Sequence, residues 1–354
     1  MNASPAIQAI VIGATGYVGG ELLRLIAGHP DMQLHAAVST SSHETIRTLY
    51  PNLAKAFPEQ SFVAPDSASN GLNSDSRVAL FSAAPHGKSA AIVAALLESI
   101  EASGASVRIV DVSADFRYPD AAAFEAVYGI AHSTPQLMDQ FSCAVPEHAA
   151  DMNGMHVGHP GCFATALLLA SVPLVAAGFA TERLFATGVT GSTGSGRAAS
   201  AGTHHPERHA NLYAYKALEH RHVPEVEGGI LAATGSAVGV SFIPHSGPFA
   251  RGIYVTVQAQ LRQATPKADI VSAFVEYYEQ SPFVRVVDGT PRLKDVVVSN
   301  DCHVGVAVND QTVCITAAID NLVKGAAGGA VQWMNRLWSL PEEHGLATPA
   351  ACWI

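Results

Sequence analysis

The sequence predicts an α/β fold: a Rossmann-type parallel-sheet domain joined to an α+β domain with a mixed sheet. Three observations point there. Strand-like and helix-like stretches alternate through roughly the first 120 residues, the pattern of parallel βαβ units. A glycine-rich turn stands between the first strand and the first helix. Beyond about residue 155 the text changes to period-two strands separated by Gly/Ser-rich and His-rich stretches, which suits a mixed sheet.

Each element follows in order. AIQAIVIGA is an apolar run closed at Gly13, as expected of a buried strand. GGELLRLIAGH places Leu22, Leu23 and Ile26 at helical spacing and stops at Gly28 and Pro30. MQLHAAVS and RVALFSAAP read as strands, the second halted by Pro85. SAAIVAALLESIEASG is a helix ending at Gly104, and SVRIVDVS is another strand. Residues 164–175 form an apolar helix, while GIYVTVQAQL and TVCITAAI alternate as strands. GAAGGAVQWMNRLWSL is a closing helix whose apolar residues suit packing back onto the first domain. The expected domains are therefore 1–158 with 326–354 for the Rossmann-type part, and 159–325 for the substrate and oligomerisation part.

Composition narrows the function. The chain has 354 residues, of which 48% are hydrophobic and 14% charged, which excludes a disordered chain. Thirty acidic against 20 basic residues give a net charge of −10, with no basic stretch interleaved with aromatics, so no nucleic-acid partner is expected. An anion site must then be built locally, from single arginines and backbone N–H groups. The five cysteines are scattered, without CxxC spacing, and argue against a disulfide framework. The N-terminus does not read as a signal peptide, and no apolar stretch approaches the ~20 residues of a membrane span. A cytoplasmic setting without a membrane partner is expected.

Four motifs carry candidate chemistry. Gly13-Ala14-Thr15-Gly16-Tyr17-Val18-Gly19 follows a strand and opens a helix, where glycines let the backbone approach a pyrophosphate at the helix N-terminus. The second strand ends in hydroxyls, Ser39 to Ser42, with no acid to bond a ribose 2′-OH, which favours NADP (NADPH) over NAD. In His159-Pro160-Gly161-Cys162, a sharp entry puts Cys162 at a helix N-terminus, where thiolate is stabilised; Cys162 is the candidate nucleophile. In His220-Arg221-His222-Val223-Pro224-Glu225, His222 is the candidate acid/base with Glu225 as its orienting partner, and His220 a candidate substrate contact. The Gly/Ser loop 188–197 offers close backbone approach to a ligand, and Arg117 and Arg251, near strand ends, suit carboxylate or phosphate. No metal is expected at residues 203–209, because adjacent His204 and His205 point apart in regular structure.

Together these residues resemble the N-acetyl-gamma-glutamyl-phosphate reductase family, within the semialdehyde dehydrogenase superfamily. The matching pieces are GATGYVGGELLRLI, PHG at 85–87, DVSADFR, HPGCFATALL, TGSTGSGR, AYKALEHRHVPE, FIPHSGPFARGI and AIDNLVKGAAGGAVQ, in family order over nearly the whole chain. The resemblance implies Cys162 as nucleophile, His222 as acid/base and Glu225 as its partner. It implies NADP contacts at the Gly13 loop, Ser39, Ser41, Pro85, Ser192, Gly194 and Asn321. It also implies an acyl-phosphate substrate in arginine biosynthesis and a homodimer or homotetramer. HPGC and GCFAT stand where the family more often has NPGC and GCYPT, leaving the acyl group open among N-acetyl, N-succinyl and carrier-linked forms. Aspartate-semialdehyde dehydrogenase and an NADP-sensing binding module are the alternatives.

Overall fold

The computed structural model describes residues 6–149 and 154–352. The chain divides into two compact units, one of 1–143, 151–159 and 327–347, the other of 144–150, 160–326 and 348–354.

The first unit is built on a seven-stranded, all-parallel sheet. Its strands are β1 (Ile7–Ile12), β2 (Met32–Val38), β3 (Phe62–Val63), β4 (Arg77–Ser82), β5 (Ser106–Asp111), β6 (Phe141–Ser142) and β7 (His156–Gly158), in the order β3-β2-β1-β4-β5-β7-β6. The order reverses at β1, so the loop after that strand sits at the switch point where open α/β sheets bind ligands. Helix α1 (Tyr17–Ala27) buries Leu22, Leu23, Leu25 and Ile26, the stripe that its 3.6-residue period predicts. Helix α2 (Ile46–Leu49) is one turn; α3 (Ser89–Ala102) and α4 (Ala121–Tyr128) follow β4 and β5. Asp120 caps α4, accepting from the Ala123 N–H at 2.8 Å, and Gly129 closes it in the left-handed region. The helix Gly328–Leu337 buries Trp333 and Met334 in this unit and packs on α1 and β5.

The second unit holds a seven-stranded mixed sheet. Its helices are α5 (Cys162–Ala176), α6 (His205–Arg208), α7 (Val223–Thr234) and α8 (Lys267–Tyr277). Its strands are β8 (Arg183–Thr190), β9 (Tyr213–Ala214), β10 (Gly239–Ser246), β11 (Ile253–Gln260), β12 (Val284–Val286), β13 (Cys302–Asn309) and β14 (Thr312–Ile319), ordered β12-β13-β14-β11-β8-β10-β9. Pairs β8/β10 and β12/β13 are parallel and the others antiparallel. Helix α5 is apolar all round and almost wholly buried among α7, α8 and the sheet, as such a helix must be. It begins at Cys162, two residues before the apolar run 164–175. No helix among the described residues is long and apolar enough to cross a membrane.

Candidate active site

In the first unit, the turn after β1 is shaped by close backbone contact. Gly13 has φ of 72°, and a Cβ there would lie 2.4 Å from the Ala83 carbonyl oxygen. A Cβ on Gly19 would lie 2.3 Å from the Gly13 oxygen, so α1 can enter this close to the turn only with glycine there. The Tyr50 hydroxyl lies 3.1 Å from the Ala14 oxygen and 2.8 Å from the Gly16 oxygen, a brace that sequence reasoning missed because Tyr50 is 34 residues away. Helix α1 has no side-chain cap and no acid in its first turn, which leaves its positive end suited to a phosphate. Around Gly16 a Cβ would meet little, which fits a bound group lying against the turn.

The hydroxyl of buried Ser39 accepts from the Ser41 and Ser42 N–H groups at 3.1 and 3.0 Å, so it folds the turn and leaves Ser41 exposed at its rim. Arg47 lies beside Glu59, 3.6 Å away. Exposed Pro85 follows β4, and the Asp115 carboxylate takes the Gly87 and Ala90 N–H groups at 2.7 and 2.9 Å, fixing the start of α3. Asp111, buried at the end of β5, accepts from Ser89 and Ser113; burial pushes its carboxyl up to about 6. Arg117 donates through Nε to the His159 oxygen and through Nη2 to the Val112 oxygen, at 2.7 and 2.8 Å, bracing the backbone at this end of the sheet.

In the second unit, Gly161 caps α5 without a side-chain bond, and Cys162 is the first helical residue, half-buried. His222 and Glu225 sit at the N-cap and third position of α7. That spacing brings both to one side of a helix start, as in a capping box. Glu225 was expected as the partner of His222; its carboxylate accepts the Gly161 N–H at 2.8 Å and so holds the residue before the thiol. A Cβ on Gly161 would lie 2.4 Å from His222 Nε2, so the imidazole rests directly on the Gly161 backbone, one residue from Cys162. His220 Nδ1 accepts the His222 N–H at 3.3 Å, which leaves the proton of the neutral ring on Nε2. Burial, with Arg221 and Lys216 adding to it, pushes His220 down to about 4. Its ring packs edge-on against Phe163, Tyr215, His222 and Phe242.

A cavity of about 390 Å³ opens on Cys162. Its walls include Phe163, Thr190, Gly194, Tyr215, Lys216, His220, Arg221, His222 and Ser246. Cys162, His220, His222 and Gly194 thus meet at one cavity, and Glu225 stands behind them. Lys216 and Arg221 are cavity residues that sequence reasoning did not single out. Lys216 and Leu218 have φ of 44° and 64°, left-handed values uncommon outside glycine, which mark a strained loop.

Arg251 does not reach this cavity. Its guanidinium makes a bidentate pair with buried Asp320, at 3.0 and 3.1 Å. Asn321 donates to Thr193 Oγ1 and accepts the Gly252 N–H, while the Ser192 and Thr193 N–H groups bond the Phe249 and Ala250 oxygens. In this unit Asn321 therefore ties the 191–195 loop to Gly252, and Arg251 is held by Asp320. The chemistry available is a cysteine at a helix N-terminus, an imidazole beside it, and two cations in the wall.

The family model for the semialdehyde dehydrogenase NAD binding domain matches residues 8–141, and that for the semialdehyde dehydrogenase dimerisation domain matches residues 162–321. The chain is 37% identical to an N-acetyl-gamma-glutamyl-phosphate reductase of Methanopyrus kandleri, covering 96% of this chain and 97% of the relative. It is 37% identical to a reductase of the same name from Ectopseudomonas mendocina, over 97% and 99%. Among solved structures, aspartate semialdehyde dehydrogenase II of Vibrio cholerae, complexed with ASA, superposes with a TM-score of 0.67 at 16% identity, covering 94% of this chain and 98% of that one. Aspartate semialdehyde dehydrogenase with NADP from Candida albicans does so at 0.59 and 17%, over 94% and 98%.

Proposed function

The chain belongs to the N-acetyl-gamma-glutamyl-phosphate reductase family of semialdehyde dehydrogenases, and from that premise we propose that it reduces N-acetyl-gamma-glutamyl phosphate to the 5-semialdehyde with release of phosphate, in arginine biosynthesis. The observation that carries this reading is Cys162 at the first position of α5 with His222 against the preceding glycine. Thiolate Sγ attacks the acyl carbon, the carbon–oxygen bond to phosphate breaks, and phosphate leaves. Cys162 then holds the acyl group as a thioester. NADPH, when bound, supplies the hydride that reduces that carbonyl. The first-turn N–H groups of α5 stabilise the oxyanion, and His222 gives it a proton. As the carbon–sulfur bond breaks, His222 takes the proton back, the aldehyde leaves and thiolate is restored. Glu225 keeps Gly161, and with it the thiol, in register. Lys216 and Arg221, in the cavity wall, hold the anionic groups of the substrate.

The first unit takes the NADP. Gly13, Thr15, Gly16, Tyr17, Val18 and Gly19 receive the pyrophosphate, and Ser39, Ser41 and Pro85 line the way from the 2′-phosphate inward; the acid-free 39–42 turn supports NADP over NAD. The second unit takes the substrate and the partner subunit. Its helices cover one face of the sheet, while the other shows Phe185 at 56% exposure, a face suited to a homodimer. Five scattered cysteines with no disulfide among the described residues suit a reducing cytoplasm. Phosphate-dependent reduction of NADP, assayed with N-acetylglutamate, N-succinylglutamate and aspartate semialdehydes, tests the reading. Fastest turnover with the N-acetyl compound is expected; preference for either other aldehyde overturns the substrate assignment.

A further inference from the structure

Lys324 and Glu147 form an ion pair at 2.5 Å, and their side chains are 0% and 1% exposed. Such a pair contributes little net stability, because removing two charges from water offsets their attraction, and apolar replacements of both are often neutral or better. Stability alone therefore does not account for it. Its location is more informative. Lys324 lies in the π-helical turn Val323–Ala327, a rare conformation concentrated at functional sites. The next residue, Gly325, packs on the proposed nucleophile: a Cβ there would lie 2.8 Å from Cys162 Cβ and 3.1 Å from its Cα. The turn is anchored at its start by Asp320, which accepts the Leu322 and Val323 N–H groups at 2.8 and 2.9 Å. Lys324 anchors its middle.

The partner's setting completes the picture. Glu147 belongs to the 3₁₀ turn Pro146–His148. The next residue, His148, bonds through Nε2 to the Tyr278 hydroxyl at 3.0 Å, and that hydroxyl donates to the Leu169 oxygen at 2.8 Å. Leu169 lies on α5, the helix that begins with Cys162. One short turn thus grips both the helix that carries the thiol and the π turn that packs against it.

We propose that the Glu147–Lys324 pair is a positioning device for the Cys162 thiol, acting through Gly325. It rests on Cys162 being the nucleophile. Neither charge touches substrate; each holds backbone whose displacement moves the sulfur. A 1 Å misplacement of a reacting group costs ~100-fold in rate.

The test is the full-length double variant Glu147→Leu/Lys324→Met, compared with the parent and with Cys162→Ser. Melting temperature, kcat and KM for NADP, and the rate of Cys162 carbamidomethylation followed by mass spectrometry are measured. Expected are a melting temperature near the parent's, an unchanged KM for NADP, a kcat lower by ~10-fold to ~100-fold, and a changed alkylation rate. A folded double variant with the parent's kcat overturns the proposal. If the double variant does not fold, Glu147→Gln decides, since it removes the charge from the pair while keeping the side chain's shape and leaving Gly325 and Cys162 untouched. A lowered kcat with unchanged KM for NADP supports the proposal, and the parent's kcat overturns it. An active Cys162→Ser would instead overturn the nucleophile assignment itself, a distinct result.

Discussion

Single atoms decide the thiol's surroundings. Gly161 has an ordinary extended backbone, so its identity is set by space, not by φ: His222 Nε2 occupies the place of a side chain. Gly161→Ala must push the imidazole away or shift the loop. Turnover should fall by ~10²-fold or more, within the range of a lost acid/base, while NADP affinity stays. Near-parental kcat in steady-state assays would show that His222 is not needed where it rests. Glu225 offers a second reading at this scale. Its carboxylate accepts one N–H from Gly161, and a glutamine retains an accepting oxygen. Glu225→Gln should therefore keep kcat within about tenfold, and Glu225→Ala, which leaves a buried donor unsatisfied, should lose more. Equal losses in both would assign the effect to the charge of Glu225 instead of its hydrogen bond.

At the scale of elements, both candidate sites are helix starts held from outside the helix. The turn before α1 is braced by Tyr50, whose ring also packs on Gly20. The start of α3 is held by Asp115, and the residue before α5 by Glu225. At α1 and α5 these braces act on the turn before the helix, so the first-turn N–H groups remain for an anion, whereas at α3 Asp115 itself takes the Ala90 N–H. Removing the Tyr50 hydroxyl should loosen the glycine turn and leave the chemistry alone. Tyr50→Phe is expected to raise KM for NADPH several-fold with kcat little changed. Initial-rate kinetics at varied NADPH check it; an unchanged KM would mean that the turn holds its shape without the brace.

For the whole molecule, buried histidines dominate the response to acid. Burial holds His148, His156 and His220 near 4, below the ordinary 6.5. In the unfolded chain these rings bind protons first, so between pH 6.5 and about 4 the unfolded state gains protons over the folded one and stability falls as pH falls. Asp111 works in the opposite sense. Its folded value of about 6 exceeds 3.8, so it favours the folded state as pH falls through that window. Three histidines outweigh one carboxyl. The melting temperature should drop between pH 7 and pH 5, and calorimetry showing a flat or rising profile would contradict this. Association is also a whole-molecule property. If the open sheet face pairs subunits, Phe185→Glu puts a charge into the middle of that contact and should reduce the mass seen by light scattering towards one chain. An unchanged mass would place the interface elsewhere.

The sequence by itself determined the main strands and helices of the first domain, the parallel character of the first sheet, the mixed second one, and the candidacy of Cys162, His222 and Glu225. The physical reason is that these signals are local. Strand and helix periods, a glycine turn, a cysteine at a helix start and a histidine–glutamate pair three residues apart are all written within a few consecutive residues. Only the tertiary structure decided what those groups touch. Glu225 meets Gly161 across 64 residues, Arg251 meets Asp320 across 69, and Lys324 meets Glu147 across 177. Arg251 reads in the sequence as an anion ligand and pairs with Asp320, while Lys216 and Arg221 are not singled out there and face the cavity. A long charged side chain carries no sign in its neighbours of which partner it will meet, because that partner is chosen by the packing of elements distant in the chain.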